Sequence, residues 1–513
     1  MKSTNKRPVF KSYDQGQQML FPPSLSEMIE AKHPVRIVNE VIGKINLEEL
    51  YSQYQGGGAS SYHPRMMLKV IIYAYLSNIY SSRKIEAALK ENIHFMWLSG
   101  MNQPDHNSIN RFRSEKLKPV IKKIFAKIVI LLNQEGLVSI KDLYTDGTKI
   151  EADANKYTFV WGKSIRTRKE KIAKQIEELW KYAERVSKKE LTDTLPTSYK
   201  DIDSEKVKEA IDQINESLRG MKIDPKIRQK LNRVKKAWPE QLDRYKKQEE
   251  KLNGRNSYSK TDEDATFMRM KEDHMKNGQL KAGYNWQIST NNQFIVNYTV
   301  HQTPGDTVTL IGHLQEYQNL YGRMPEQITA DAGYGSEENY KFAEDNSIEP
   351  FIKYNYFHKE ETKKYKYDIR QSQNLYYNKE LDCYYCPMGQ KMSLIGEKTI
   401  RTRTGFKQTV KKYQAINCNG CPMRGACHKS QDNRIITINH RANKYKAKAK
   451  ELLTSRKGLE KRSRRPIEPE TVFGNIKHNK GFKRFLLRGL EKINIELGLI
   501  SISHNIAKLA YLS

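Results

Sequence analysis

Three carboxylates stand in settings that suit metal-assisted phosphate chemistry. Asp146, in the run LYTDGTKIEA, and Asp331, in QITADAGYGSEENY, each read as the last residue of a β-strand. Each is followed by small residues, Gly147 and Ala332-Gly333, which leave room for an ion and a phosphate beside the carboxylate. Strand ends are where α/β folds build their sites. Oxygen-rich sites of this kind suit Mg²⁺ or Mn²⁺, which keep waters and share the remaining positions with substrate phosphate. A third acid is needed for a two-ion site, and RSRRPIEPETVFGNIKHNKGFKR offers Glu468 and Glu470. Pro466 and Pro469 suit a helix entrance, and on a helix starting near Glu470 the residues Glu470, Phe473, Gly474 and Lys477 share one face. A carboxylate for the metal and a lysine for the adjoining phosphate then point the same way. From Glu468 the same seven-residue step reaches Asn475, so Glu470 is preferred. Asp306, in TPGDT, reads as the cap of a helix starting near Val308. Asp262 and Asp264 read as orienting or capping residues, and His504 as packing.

The five cysteines fall between Cys383 and Cys427. Cys383 and Cys386 form one CxxC pair and Cys418 and Cys421 a second, a spacing from which thiolates can hold a structural Zn²⁺. Cys427, beside His428, is able to replace one of the four. Thiols crowded in this way read as metal ligands or reduced cysteines, not disulfides.

Around these residues the chain changes character several times. Residues Arg65–Tyr80 are apolar almost all round, as in a buried helix. Ser81-Ser82 can start a second helix, Gly100 and Pro104 interrupt, and Asp105-His106-Asn107-Ser108 can cap a third, Ile109–Leu117, whose exposed face carries Asn110, Arg111, Arg113 and Lys116. That is the layout of a helix-turn-helix with a basic reading helix. Residues 164–255 are rich in Lys, Glu, Gln and Arg, with apolar residues at steps of three and four, the pattern of a helical bundle or coiled-coil hairpin broken at Thr194-Leu-Pro-Thr and at Ile223-Asp-Pro. Strands are expected at Asp142–Thr145, Tyr284–Thr290, Phe294–His301, Gln327–Ala330 and Pro350–Tyr354. Helices are expected at Val308–Leu320 and Glu337–Asp345, an α/β order. From residue 442 the chain is helical and basic again.

The 513 residues carry 90 Lys and Arg against 59 Asp and Glu, a net charge of +31. Such an excess repels itself unless a polyanion is present, and nucleic acid is the natural one. No run approaches the roughly 18 apolar residues of a membrane span, no export signal opens the chain, and no GxxxxGK[ST] loop points to a nucleotide cofactor. A cytoplasmic, nucleoid-associated place is expected.

The Asp146, Asp331 and Glu470 segments, on so basic a chain, resemble the DDE transposases of bacterial insertion sequences. HPRMMLKVIIYAYLSNIYSSRKIE similarly resembles the N-terminal domain of one large branch of that family. The resemblance spans nearly the whole chain. It implies a ribonuclease H-like mixed-sheet catalytic core, two Mg²⁺ (or Mn²⁺) ions on Asp146, Asp331 and Glu470, and cut-and-paste strand cleavage and transfer. It also implies a homo-oligomer, at least a dimer, acting on double-stranded DNA: the element's terminal inverted repeats and a target. The family's Tyr-Arg-Glu-Lys signature places its Lys at Lys477. Its Arg would fall four residues before Glu470, where Pro466 stands with Arg465 one residue away, and Arg462 occupies the place of its Tyr. The fold expected is thus α/β, in six stretches: a helical N-terminal DNA-binding domain (1–135), the first core strand (136–163), a charged helical insertion (164–255), the core continued (256–360), a Cys-rich zinc-ribbon-like insertion (361–440) and basic C-terminal helices completing the core (441–513). A ribonuclease H-like nuclease without joining, and a non-catalytic DNA-binding regulator derived from a transposase, are the competing readings.

Overall fold

The computed structural model describes residues 24–54, 61–188, 191, 202–270 and 279–512, so the expected break at 194–197 lies outside the described residues. The chain divides into two compact units, Met1–Phe112 with Ile506–Ser513, and Arg113–Asn505.

The first unit is helical: α1 (Pro34–Lys44), α2 (Glu48–Tyr51), α3 (Pro64–Leu76), α4 (Ser82–Glu91), α5 (Ile93–Ser99) and α6 (His106–Arg111). Eight consecutive-turn residues of α3, from Met67 to Tyr75, are buried, as its all-round apolar character requires. Arg65 donates to the carbonyls of Gly43 (2.8 Å) and Ile45 (3.1 Å), satisfying orphan acceptors where α1 ends. Asp105 caps α6 by accepting from Ser108 N at 2.8 Å, as its residue type predicts. One oxygen of Glu86 pairs with Lys90 on its own helix (3.1 Å), and the other takes the backbone N–H (3.0 Å) and Nδ1 (2.8 Å) of His106, tying α4 to α6.

The second unit is built on a six-stranded mixed sheet. Its strands are β1 (Asp142–Glu151), β4 (Thr266–Arg269), β5 (Leu280–Asn291), β6 (Phe294–His301), β7 (Gln327–Ala330) and β8 (Glu349–Ile352), in the order β4-β5-β1-β7-β8 with β6 also on β5. β1 is antiparallel to β5 and parallel to β7, which is parallel to β8. The β5–β6 hairpin turns through Asn292 and Gln293, both at positive φ (50° and 60°), the left-handed pair a tight hairpin needs. α7 (Ile121–Gln134), α11 (Leu310–Tyr321) and α12 (Glu337–Asp345) accompany the sheet. α7 thus belongs with this unit, because its Phe125 packs edge-on to Tyr298 of β6.

β2 (Phe159–Trp161) and β3 (Ser257–Ser259) form a short ladder at the root of a three-helix excursion, α8 (Gly162–Ser187), α9 (Ser204–Ser217) and α10 (Pro225–Leu252). Its residues close a core of their own around Ile176, Leu179, Trp180, Val207, Ile211, Ile214 and Leu231. Asp224 caps α10 and Pro225 opens it, as the Ile223-Asp-Pro break implies. After β8 come α13 (Phe357–Glu361) and α14 (Lys363–Lys366), then a second sheet, β9 (Tyr377–Asn378), β10 (Cys383–Tyr385), β11 (Lys391–Arg401), β12 (Lys407–Ala415) and β13 (Ile435–Ile438), with α15 (Arg424–Cys427) before its last strand. The chain returns through α16 (His440–Thr454) and α17 (Arg456–Arg464) into a π-helical turn, Pro466–Glu470, then α18 (Thr471–Gly474) and a second π-helical turn, Asn475–Asn479, and ends in α19 (Leu490–Leu512). Much of the basic charge of α16 and α17 meets acids of the core: Lys448 pairs with Glu344, Arg441 with Glu337, Lys457 with Glu349 and Lys461 with Asp142.

Candidate active site

Asp146 does not end its strand. β1 continues to Glu151 because β5 pairs with it as far as Glu151↔Gly283, whereas β7 stops at the pair Thr145↔Ala330. Asp146 and Asp331 therefore occupy the next positions on two adjacent parallel strands, at the carboxyl end of the shorter one, where open α/β sheets place ligands. Asp331 starts a one-turn helix, Ala332–Tyr334, without spending its carboxylate on a cap. The sharp exit after it depends on Gly335, where a Cβ would lie 2.8 Å from Tyr354 Cα.

Glu470 reaches the same place from the C-terminal segment. Arg465 Nη2 lies 3.2 Å from Asp146 Oδ2 and 3.5 Å from Asp331 Oδ2, and its Nη1 lies 3.0 Å from Glu470 Oε1. One guanidinium thus draws in a carboxylate from each of three distant segments. Arg465 stands five residues before Glu470, and the π-helical turn between them, with its i→i+5 repeat, brings it round to the glutamate's face. Glu468 faces the other way: it is buried and accepts from Thr290 Oγ1 (3.1 Å) and from Gln293 N (2.8 Å) in the β5–β6 turn.

The three acids open onto a cleft of about 340 Å³ that Thr148, Phe473, Lys477 and His478 also line. Lys477 is buried, its ammonium on Thr148 Oγ1 (2.6 Å) and the Lys149 carbonyl (3.2 Å), so it binds the Glu470 segment to β1. Phe473 packs edge-on to Trp286 of β5, 5.5 Å between centroids. His478 escaped the sequence reading, although eight residues beyond Glu470 is the same helical face.

Support comes from the opposite face of β1. Asp306 leaves the capping of α11 to its backbone and accepts instead from Asn285 Nδ2 (2.8 Å) and Gln287 Nε2 (3.0 Å). Gln287 also receives the Tyr334 hydroxyl, linking β5 to the turn after Asp331. A side chain at Gly147 would lie 2.9 Å from Asp306 Oδ1, so only glycine fits beside Asp146. Further along, His313 bridges Ser289 Oγ (2.8 Å) and Thr299 Oγ1 (2.7 Å), and Thr299 meets His301 Nε2 at 2.8 Å. Burial holds both imidazoles neutral: His301 is pushed down to about 4 and His313 well below its usual value.

The expected DNA-reading residues separate. Arg111 is exposed at the end of α6, and Lys116 is half-buried in the π-helical turn Phe112–Lys116. Arg113 is buried, 4% exposed, and its charge acts on the buried Glu496, so the expectation of a solvent-facing Arg113 is corrected: the turn after α6 rotates it inward.

The zinc ligand set is not assembled as expected. Cys386, Cys418, Cys421 and Cys427 line one small cavity together with His428, but Cys383, on β10, does not. Arg434 Nη1 lies 2.9 Å from Cys427 Sγ, a cation where a zinc ligand would need its lone pair free. Among the described residues no group of three His, Cys, Asp or Glu side chains is placed to hold a metal ion. This includes the acid cluster as it stands, whose centre is filled by the Arg465 guanidinium. The donor chemistry there nevertheless fits a hard divalent cation, since three carboxylates already share one positive charge.

Two comparisons bear on this geometry. Residues 385–510 match the family model described as a transposase DDE domain, and residues 23–115 match that described as a transposase domain (DUF772). Together they point to a DDE insertion-sequence transposase. The first match holds Arg465, Glu470 and Lys477, and the second the helical first unit through α6. Asp146 and Asp331 lie outside both matched ranges. No curated protein and no solved structure matches the chain. Among the described residues no helix is long and apolar enough to cross a membrane.

Proposed function

We propose that the chain cleaves DNA at the ends of its own element and joins the freed 3′ ends to target DNA, with Asp146, Asp331 and Glu470 as the ligands of a two-ion Mg²⁺ or Mn²⁺ site. The observation that carries this reading is the convergence of those three carboxylates, from β1, the end of β7 and the turn after α17, on the single Arg465 guanidinium. The sheet supports it: the order β6-β5-β1-β7-β8, with β5 alone running against the rest, is that of a ribonuclease H-like core. When bound, the ions would activate the attacking oxygen and stabilise the leaving one. The chain's own residues do the rest. Lys477 holds the Glu470 segment against β1, fixing the third carboxylate relative to the first. Asp306, Gln287 and Tyr334 hold the two aspartate-bearing strand ends in register from behind. Arg465 and Lys477 add positive charge to the cleft that would receive the phosphates around the scissile bond. Arg111 and Lys116 contact the element's terminal repeats, mostly through phosphate, which makes binding steeply salt-dependent. The chain works as at least a dimer, one copy for each element end, on the nucleoid. Zinc has no part in this reading.

The test is a paired assay of the full chain and Asp331→Asn on labelled DNA carrying the element's ends, with Mg²⁺ added or withheld. Cleaved and joined products that need Mg²⁺ and vanish in Asp331→Asn, while DNA binding persists, are expected. Cleavage that survives the substitution would remove Asp331 from the site, and binding without cleavage by the unmodified chain would leave a regulator.

A further inference from the structure

A second cavity, of about 260 Å³, lies between α16 and the loop region preceding the second sheet. Tyr354, Tyr377 and Tyr384 line it with Leu375, and the rings of Tyr377 and Tyr384 lie 4.7 Å apart at 32°. Asn443, Lys446 and Lys450 project into it from α16 at steps of three and four, one helical face. These lysines differ from their neighbours. Arg441 and Lys448 on the same helix are paired with Glu337 and Glu344, whereas Lys446 and Lys450 form no ion pair among the described residues. Lys446 instead stands 5.9 Å over the Tyr354 ring. The one carboxylate in the lining, Glu360, accepts the Tyr354 hydroxyl at 2.6 Å. The partly exposed Tyr377 ring, beside the buried Tyr354 and Tyr384, together with the Asn443 amide and two ammonium groups that form no ion pair among the described residues, matches a heterocyclic base carrying a phosphate. The volume falls below the about 300–1,000 Å³ of pockets that enclose drug-sized ligands, so it suits a single ring system.

The cavity is also close to the cleft along the chain. Tyr354 follows β8, the neighbour of the strand that ends at Asp331. Lys353, one residue earlier, is near enough for the charges of Asp331 and Arg465 to act on it.

We propose that this cavity receives one unpaired nucleotide of a DNA strand, its base against the Tyr377 ring and its phosphate on Lys446 and Lys450. The inference rests on the reading of the chain as a DNA transposase and adds a subsite to it. Stacking on protein aromatics is sequence-tolerant, and removing one partner weakens binding by roughly 5- to 150-fold.

The test uses the full chain in EDTA and fluorescence anisotropy with a labelled duplex bearing one bulged nucleotide, compared with the same duplex whose bulge is abasic. The two carry the same charge and differ only in the ring. The unmodified chain is expected to prefer the base-containing bulge by about tenfold. Tyr377→Leu should bring that ratio close to one. Lys446→Ala with Lys450→Ala should weaken binding of both bulged duplexes, while Lys448→Ala, on the paired side of α16, leaves them unchanged. Equal affinity for the two bulges, or a preference intact in both variants, would overturn the proposal. If the chain still cleaves element ends in Mg²⁺ while ignoring the ring, the subsite alone falls. If it binds no DNA at all, the subsite falls together with the transposase reading.

Discussion

Replacing Arg465 with alanine removes the charge that three carboxylates share, and its cost follows from their exposure. The Arg465 and Asp146 side chains are each 10% exposed, so this contact behaves as a buried pair. Breaking a buried pair by deleting one partner costs about 3–5 kcal/mol, most of it the charge left behind. The cleft beside it is open, which argues for the lower end, about 3 kcal/mol. Asp331 and Glu470 are 47% and 51% exposed, and pairs of that kind contribute about 0–1 kcal/mol each. Arg465→Ala should therefore lose about 3–4 kcal/mol in EDTA. Divalent cations should reverse this, because removing the guanidinium leaves three acids around an open centre. A ligand at 100 times its Kd adds about 2.7 kcal/mol to the folded state, so most of the deficit should disappear in saturating Mn²⁺. Thermal unfolding of both proteins, in EDTA and across a Mn²⁺ series, measures this. A variant that matches the parent in EDTA to within about 0.5 kcal/mol, or one that Mn²⁺ stabilises no more than the parent, would refute the idea that Arg465 sits at the cation position of an acid cluster.

Other expectations separate neighbouring residues. Glu470→Ala should abolish cleavage and leave stability nearly unchanged, whereas Glu468→Ala strands the Gln293 N–H and should cost about 1–3 kcal/mol in unfolding measurements. Gly147→Ala forces a methyl group against Gln287 and Asp306 and should destabilise by about 1–3 kcal/mol, with DNA cleavage lost before DNA binding. The folded state holds His301 and His313 neutral while the unfolded chain protonates near pH 6.5, so their contribution is complete above that pH and is lost as pH falls toward about 4. Urea unfolding at pH 7 and pH 5 should show the loss, and His313→Gln should reduce it.

Much of the core could be read from residue order. Gln327–Ala330 and Glu337–Asp345 form as expected, because each has one dominant period and clear boundary residues: Ser336 caps the helix, accepting from Asn339 N at 3.2 Å. Asp146 was placed at a strand end because a following glycine ordinarily breaks a strand, and only pairing with β5 carries the strand past it. The family signature places its arginine four residues before the glutamate, and Arg465 stands five before Glu470 because a π-helical turn, which leaves no mark in composition, lies between them. Arg113 reads as exposed on a regular helix, but the helix widens into a π-helical turn at Phe112. The five strands of the second sheet were hidden because β11 is exposed along nearly its whole length, with no alternation of apolar residues to reveal it. Two CxxC pairs specified thiol spacing but not the presence of Arg434 against Cys427.

The three acids of the cleft lie at positions 146, 331 and 470 of 513, with a helical bundle and a second sheet threaded between them. During synthesis the first two carboxylates emerge long before the third, and Arg465 emerges with the last. A nascent chain, or one cut short by a frameshift in the second sheet, therefore carries the helices proposed to contact DNA and an unfinished acid cluster. On the proposed function, such a fragment would occupy an element end without cutting it and compete with the complete protein for the same DNA.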